Sequence, residues 1–214
     1  MKTLTKAMQD AITPSIALDL LKKGNQRFVD NLKINRNLLQ QANETSDGQH
    51  PFAVILSCID SRTSVELIFD QGLGDVFSVR IAGTIINKDI LGSLEFGCKL
   101  AGAKIIVVLG HTNCGAVKGA CEHLEMGNLT ALLRKIEPAV TAEKTVTENR
   151  TSLNEEFVEK VAAINVRKTV NAVMEGSPIL REMIESGACG LVGGNHDIST
   201  GEVSFYGDTM LGFF

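Results

Sequence analysis

Phe52-Ala53-Val54-Ile55-Leu56-Ser57 runs straight into Cys58-Ile59-Asp60-Ser61-Arg62, and Lys104-Ile105-Ile106-Val107-Val108-Leu109-Gly110 runs straight into His111-Thr112-Asn113-Cys114. Each apolar run is of strand type, and each is followed at once by residues that carry chemistry. Parallel strands of an open sheet present ligand-binding residues at their carboxyl ends. Two thiols and an imidazole at two such ends supply three of the four donors of a tetrahedral zinc, and a catalytic zinc stops at three protein ligands. Cys58, His111 and Cys114 are therefore the candidate metal ligands.

Working outward, Val76–Arg80 reads as a second strand, reached through a short helix over Ser64–Asp70 and a turn at Gln71–Asp75. Asp89–Leu100 and Gly115–Met126 read as helices, the latter with Gly127 as its stop. Leu129–Glu185 is largely helical in pattern, broken near Glu148–Ser152 and at Gly176-Ser177-Pro178, where serine before proline suits a helix start. Gly190–Gly194 and Glu202–Tyr206 read as the last two strands, joined across Ser199-Thr200-Gly201. Strands alternating with helices imply an α/β fold with a mostly parallel sheet. Ahead of it, Pro14–Asn31 is an amphipathic helix capped by Thr13 or Ser15, and Asn43–His50 has loop composition. The expected organisation is one domain, with residues 1–45 as a helical arm and 50–214 as the α/β core.

Bulk properties narrow the function. The 214 residues carry a formal charge of −4 and a pI of about 5.6, so no basic field exists to hold nucleic acid or anionic lipid. The five cysteines do not form a disulfide framework. Cys98, Cys121 and Cys189 sit among small and apolar neighbours, as buried inert thiols do. Met1–Lys6 is not followed by an apolar signal core and no stretch approaches a membrane span, so a cytoplasmic protein is the expectation.

Taken singly, His-x-x-Cys and Cys-x-Asp arise by chance. Their joint occurrence at two strand ends, with Arg62 beside Asp60, is far more specific, because arginine clamps a carboxylate through two parallel hydrogen bonds. An open catalytic zinc, a closed structural zinc with Asp60 as fourth ligand, and a metal-free thiol site all stay open on the residues alone.

Cys58–Arg62, Val79-Arg80-Ile81-Ala82-Gly83, Ser93-Leu94-Glu95-Phe96 and Gly110–Ala116 together resemble the β-class carbonic anhydrases. Leu20–Phe28, Asn165–Leu180 and Asp197–Val203 extend the likeness over most of the chain. The resemblance implies four parallel strands with a fifth, antiparallel strand at the edge. It implies zinc (Zn2+) on Cys58, His111 and Cys114, an Asp60–Arg62 catalytic dyad, and substrate contacts from Gln49, Phe77, Ala82 and Phe96. The implied reaction is reversible hydration of carbon dioxide to bicarbonate and a proton by zinc-bound hydroxide. Asp60, once released from Arg62, would close the metal as a fourth ligand. The implied assembly is a homodimer or homotetramer paired through the amino-terminal helices. Carbonyl sulfide or carbon disulfide hydrolysis and a non-catalytic zinc-stabilised interaction module are the alternatives. Thr84 stands where relatives commonly carry asparagine, and His196-Asp197 where a tyrosine-aspartate pair is common. Ile55 replaces the tryptophan of a bicarbonate-regulated subgroup, so that regulation is not expected. His50, His123 and His196 are expected at the surface or hydrogen-bonded, none of them a clear proton shuttle.

Overall fold

A computed structural model describes residues 3–214. Among these, five strands form one sheet: β1 (Ala53–Ser57), β2 (Val76–Arg80), β3 (Ile105–His111), β4 (Gly190–His196) and β5 (Val203–Phe205), in the spatial order β2-β1-β3-β4-β5. The first four are parallel, and β5 runs antiparallel to β4 at the edge. β1 and β3 are buried along their whole length, which is why they read as continuous apolar runs rather than as alternating ones. β2 is an edge strand and is partly exposed.

Helices α1 (Lys6–Asp10), α2 (Pro14–Val29) and α3 (Leu38–Glu44) precede the sheet, α4 (Val65–Ile68) follows β1, and α5 (Lys88–Glu95) continues into a π-turn over Phe96–Leu100. After β3 come α6 (Gly115–Cys121), α7 (Gly127–Leu133), α8 (Glu137–Ala142), α9 (Glu155–Gly176) and α10 (Pro178–Glu185). Alternate strand residues face opposite sides of a sheet. Val54, Leu56, Ile106, Val108 and Leu191 pack beneath α5, α9 and α10 through Leu94, Val166, Val170, Val173 and Leu180. Ile55, Ile105, Val107, Leu109 and Val192 pack on the other side against Ala17, Leu18 and Leu21 of α2 and Val65 and Ile68 of α4.

Several elements differ from the sequence reading. α2 is not a detached arm within its own chain: it buries one face on the sheet, and Asn25 donates to the carbonyls of Ile68 and Gly201 at 3.1 and 2.8 Å. Gly24 permits this approach, since a Cβ there would lie 1.8 Å from the Phe69 carbonyl oxygen. Gly127 does not stop a helix. The helix after β3 already ends at Cys121, His123 takes a left-handed φ of 51°, and Gly127 begins α7. The break in the later helical stretch spans 143–154, wider than the composition suggested. Buried Glu143 organises it, accepting from the Thr145 and Val146 amides, the Thr145 hydroxyl and Arg150. Thr13 caps α2 and Ser177 caps α10, as the sequence indicated.

Asp70 joins the amino-terminal segment to the core. Its buried carboxylate pairs with both Arg27 and Arg36, and also accepts from the Ile34 amide. Removing one partner of a buried pair strands the other charge. Asp70→Ala is therefore expected to lower unfolding stability by about 3–5 kcal/mol, measured by urea denaturation. Glu143 gives a pH test. Its hydrogen bond from Thr145, helped by the backbone amides and Arg150, holds it down to about 2. A depressed carboxylate contributes stability above its unfolded value of roughly 4.3 and loses it as pH falls through the folded value. Protection of the 143–154 amides relative to their intrinsic exchange rates should therefore fall as pH drops from about 4.5 toward 2, and Glu143→Gln should remove that dependence.

Candidate metal centre

The pairing of β1 with β3 aligns Ser57 with Leu109, so Cys58 and His111 emerge at the same sheet end. Cys114 occupies the N-cap of α6, three residues on. The ligand atoms of Cys58, His111 and Cys114 all lie within 4.8 Å of one another, and all three residues are buried. No other such group of three occurs among the described residues.

Neighbouring polar groups set the state of this cluster. A hydrogen bond from the Cys114 thiol, with further donation from the amides of Gly83 and Asp60, pulls Cys58 well below the usual thiol range against the opposing effect of burial. Cys114 is the donor in that pair, and the shared proton together with burial pushes it upward. His111 Nδ1 lies 2.9 Å from the Thr112 carbonyl, which assigns the ring proton to that nitrogen. Nε2 is left buried with no hydrogen-bond partner. A buried, unpartnered acceptor beside a thiol pair that shares a proton is what a thiophilic cation satisfies on displacing that proton. Two sulfurs and one imidazole suit zinc. The residues present fit the ion.

Asp60 and Arg62 form the expected clamp. Arg62 Nε and Nη2 donate to the two carboxylate oxygens at 3.0 and 2.8 Å, and the Arg62 amide adds a third bond at 3.0 Å. The guanidinium holds the Asp60 carboxyl well below the usual carboxylate range. Asp60 is thus turned to Arg62 and is not among the converging ligand atoms.

The remaining expected residues fall elsewhere. Ala82 is half-buried on the turn after β2, next to Gly83. Phe77 and Phe96 form an edge-to-face pair with centroids 6.1 Å apart. They line an open cleft of about 500 Å³ with Lys88, Asp89 and Ser93, and that lining contains no metal-site residue. Gln49 is exposed in the segment entering β1, so within one chain it lies at the opposite end of the strand from Cys58. His196 departs from expectation. It is 3% exposed, sits opposite His111 in the strand register, and neither ring nitrogen has a partner. Burial pushes it down to about 4.

Sequence reasoning missed the groups that hold the ligand loops. Arg80 donates to the carbonyls of Cys58 and Asp60 at 2.9 and 2.6 Å, and Thr63 to those of Cys58 and Asp60 at 3.3 and 2.9 Å. Asn165 of α9 donates to the Gly83 carbonyl at 2.8 Å, supporting the turn whose amide faces Cys58. Arg80 lay inside a quoted motif, and its charge at a strand end was the available signal.

The sheet gathers two thiols and an imidazole at its carboxyl edge, beside a clamped aspartate, in an α/β protein whose three converging residues could hold a metal ion. The carbonic anhydrase family profile matches residues 53–203. Carbonic anhydrase 2 of Mycobacterium tuberculosis is 34% identical over 200 residues, covering 88% of this chain and 90% of that protein. The carbonic anhydrase of Mycolicibacterium smegmatis is 31% identical over 196 residues, covering 89% and 92%. The solved β-carbonic anhydrase CcaA superposes with a TM-score of 0.70 at 27% identity, covering 88% and 87% of the two chains. One of two tetrameric β-carbonic anhydrases from Sordaria macrospora shares the fold, with a TM-score of 0.67 at 24% identity, covering 78% and 90%. The chain belongs to the carbonic anhydrase family, in its β class. No helix among the described residues is long and apolar enough to cross a membrane.

His111→Ala removes the one nitrogen donor and leaves a thiol pair. Zinc content by elemental analysis is expected to fall from near one per chain to a small fraction, with far-UV circular dichroism unchanged.

Proposed function

We propose that this chain catalyses the reversible hydration of carbon dioxide to bicarbonate and a proton, with zinc held by Cys58, His111 and Cys114. The observation that carries the reading is the unpartnered, buried Nε2 of His111 beside two converging thiols, with an ionised Asp60 clamped next to them. Held by these three residues, zinc would supply Lewis acidity and lower the pKa of water toward neutrality.

The chain's own residues do the rest. Asp60 accepts a hydrogen bond from the attacking oxygen and so aims its lone pair at the carbon. Arg62 keeps Asp60 ionised and prevents it from turning onto the metal. Ala82 supplies apolar wall beside the site. Gln49 lies at the wrong end of β1 to serve its own site, so it acts, with Phe77 and Phe96, in a pocket completed by a second copy of the chain. There it donates a hydrogen bond to the substrate oxygen on which charge develops. Assembly as a dimer or tetramer follows from this reading, and the Sordaria macrospora relatives are tetrameric. A cytoplasmic setting fits as well, since reduced thiols persist in a reducing compartment.

Stopped-flow hydration of carbon dioxide, with carbonyl sulfide turnover alongside, tests the proposal. Hydration should dominate, and zinc-loaded protein that turns over only the sulfur analogue would sink it. Asp60→Asn and Arg62→Ala should each cut kcat/KM by about 10- to 100-fold while zinc content stays near one. Full activity in Arg62→Ala refutes the dyad. Gln49→Ala should lower kcat/KM with no change in zinc, and light scattering should find no monomer at assay concentration.

A further inference from the structure

His111 and Cys114 are only three residues apart, and bringing both onto one ion demands a tight, defined turn. That turn is built from Thr112 and Asn113. Thr112 is tied to the β4–β5 end: its amide donates to the His196 carbonyl and its hydroxyl accepts from the Ile198 amide, both at 3.0 Å. Asn113 adopts a left-handed φ of 57°, which non-glycine residues seldom take and asparagine tolerates best. Its side-chain oxygen accepts from Lys118 at 2.8 Å, and its amide donates to Glu159 Oε1 at 2.8 Å. Glu159 stands half-buried on α9, the helix that also supports the Gly83 turn through Asn165.

We infer that Glu159 is a positioning residue of the metal centre, whose carboxylate oxygen locks Asn113 in the left-handed turn and so makes His111 and Cys114 converge. The Glu159 side chain neither touches substrate nor ligates the ion. It acts by accepting the Asn113 backbone N–H from a position on the long helix. A backbone amide left without an acceptor in a half-buried turn favours a different φ at Asn113, and the spacing between the imidazole and the Cys114 sulfur then loosens. Outer partners of ligand groups commonly set metal affinity over one to two orders of magnitude. This inference rests on the zinc reading of the site.

The test is zinc affinity of full-length apoprotein by chelator competition, with the visible absorption of the Co2+-substituted protein as an independent readout. Glu159→Ala is expected to bind zinc about 10- to 100-fold more weakly and to shift the Co2+ d–d bands. Glu159→Gln keeps an acceptor oxygen and should retain both wild-type affinity and spectrum. Equal zinc affinity in wild type and Glu159→Ala overturns the inference, as does a Glu159→Gln variant as weak as alanine, which would assign the effect to charge. Should Glu159→Ala not fold, Glu159→Met, of similar length and apolar, is read against glutamine with the same two outcomes. Wild-type protein that fails to bind one zinc tightly would sink the zinc reading itself, whereas tight wild-type binding with an unchanged alanine variant overturns only the role of Glu159.

Discussion

The hydrogen-bonded register of β1 against β3 is the constraint on which the rest depends. With Ser57 level with Leu109, Cys58 and His111 leave the sheet side by side. A slip of one residue would turn every side chain of one strand to the other face. It would drive Val54 and Leu56 out of the layer beneath α9 and Ile55 out of the layer beneath α2. Burial on both faces therefore enforces the register, and the register brings Cys58 and His111 to one end of the sheet. Stability and chemistry are coupled through the same backbone bonds.

Around that edge lie three loops, each held by side-chain hydrogen bonds. Arg80 and Thr63 hold the loop after β1, Asn165 and Thr169 hold the turn after β2, and Glu159 and Lys118 hold the turn after β3. Thr84 shows how tightly: it keeps a φ of 53°, costly for a β-branched residue, with its carbonyl bonded to Thr169 and its hydroxyl to the Leu109 carbonyl. Asparagine would tolerate that conformation better. The long helix α9 thus does two things. It covers one sheet face with valines and steadies two of the three loops.

Most of the architecture was legible in the chain, because two strong periodic signals coincided. Buried parallel strands leave uninterrupted apolar runs, and all five strands lie where the sequence reading places them, within two residues at each end. Boundaries were less legible. Gly127 has the composition of a helix stop but begins a helix, since the left-handed conformation that ends α6 falls on His123 instead. Of the wide loop over 143–154 only the part near 148–152 was legible from composition, because its start is set by the hydrogen bonds that Glu143 accepts from Thr145, Val146 and Arg150. His196 looked like a surface residue and is sealed in beside His111, because strand β4 continues two residues past its glycines.

What the sequence determined by itself is the donor set and its clamp. Cysteine, histidine and aspartate with a neighbouring arginine, set directly after strands, carry their chemistry in residue type and local spacing, and both are readable in one dimension. The tertiary structure decided which groups hold that set in place and which lie out of its reach. Arg80, Asn165 and Glu159 reach the site from β2 and α9, while Gln49, for all its fixed distance from Cys58 along the chain, stands at the far end of a strand. The physical reason is that a hydrogen bond depends on distance and direction in space, and sequence separation constrains neither once the chain has crossed the sheet.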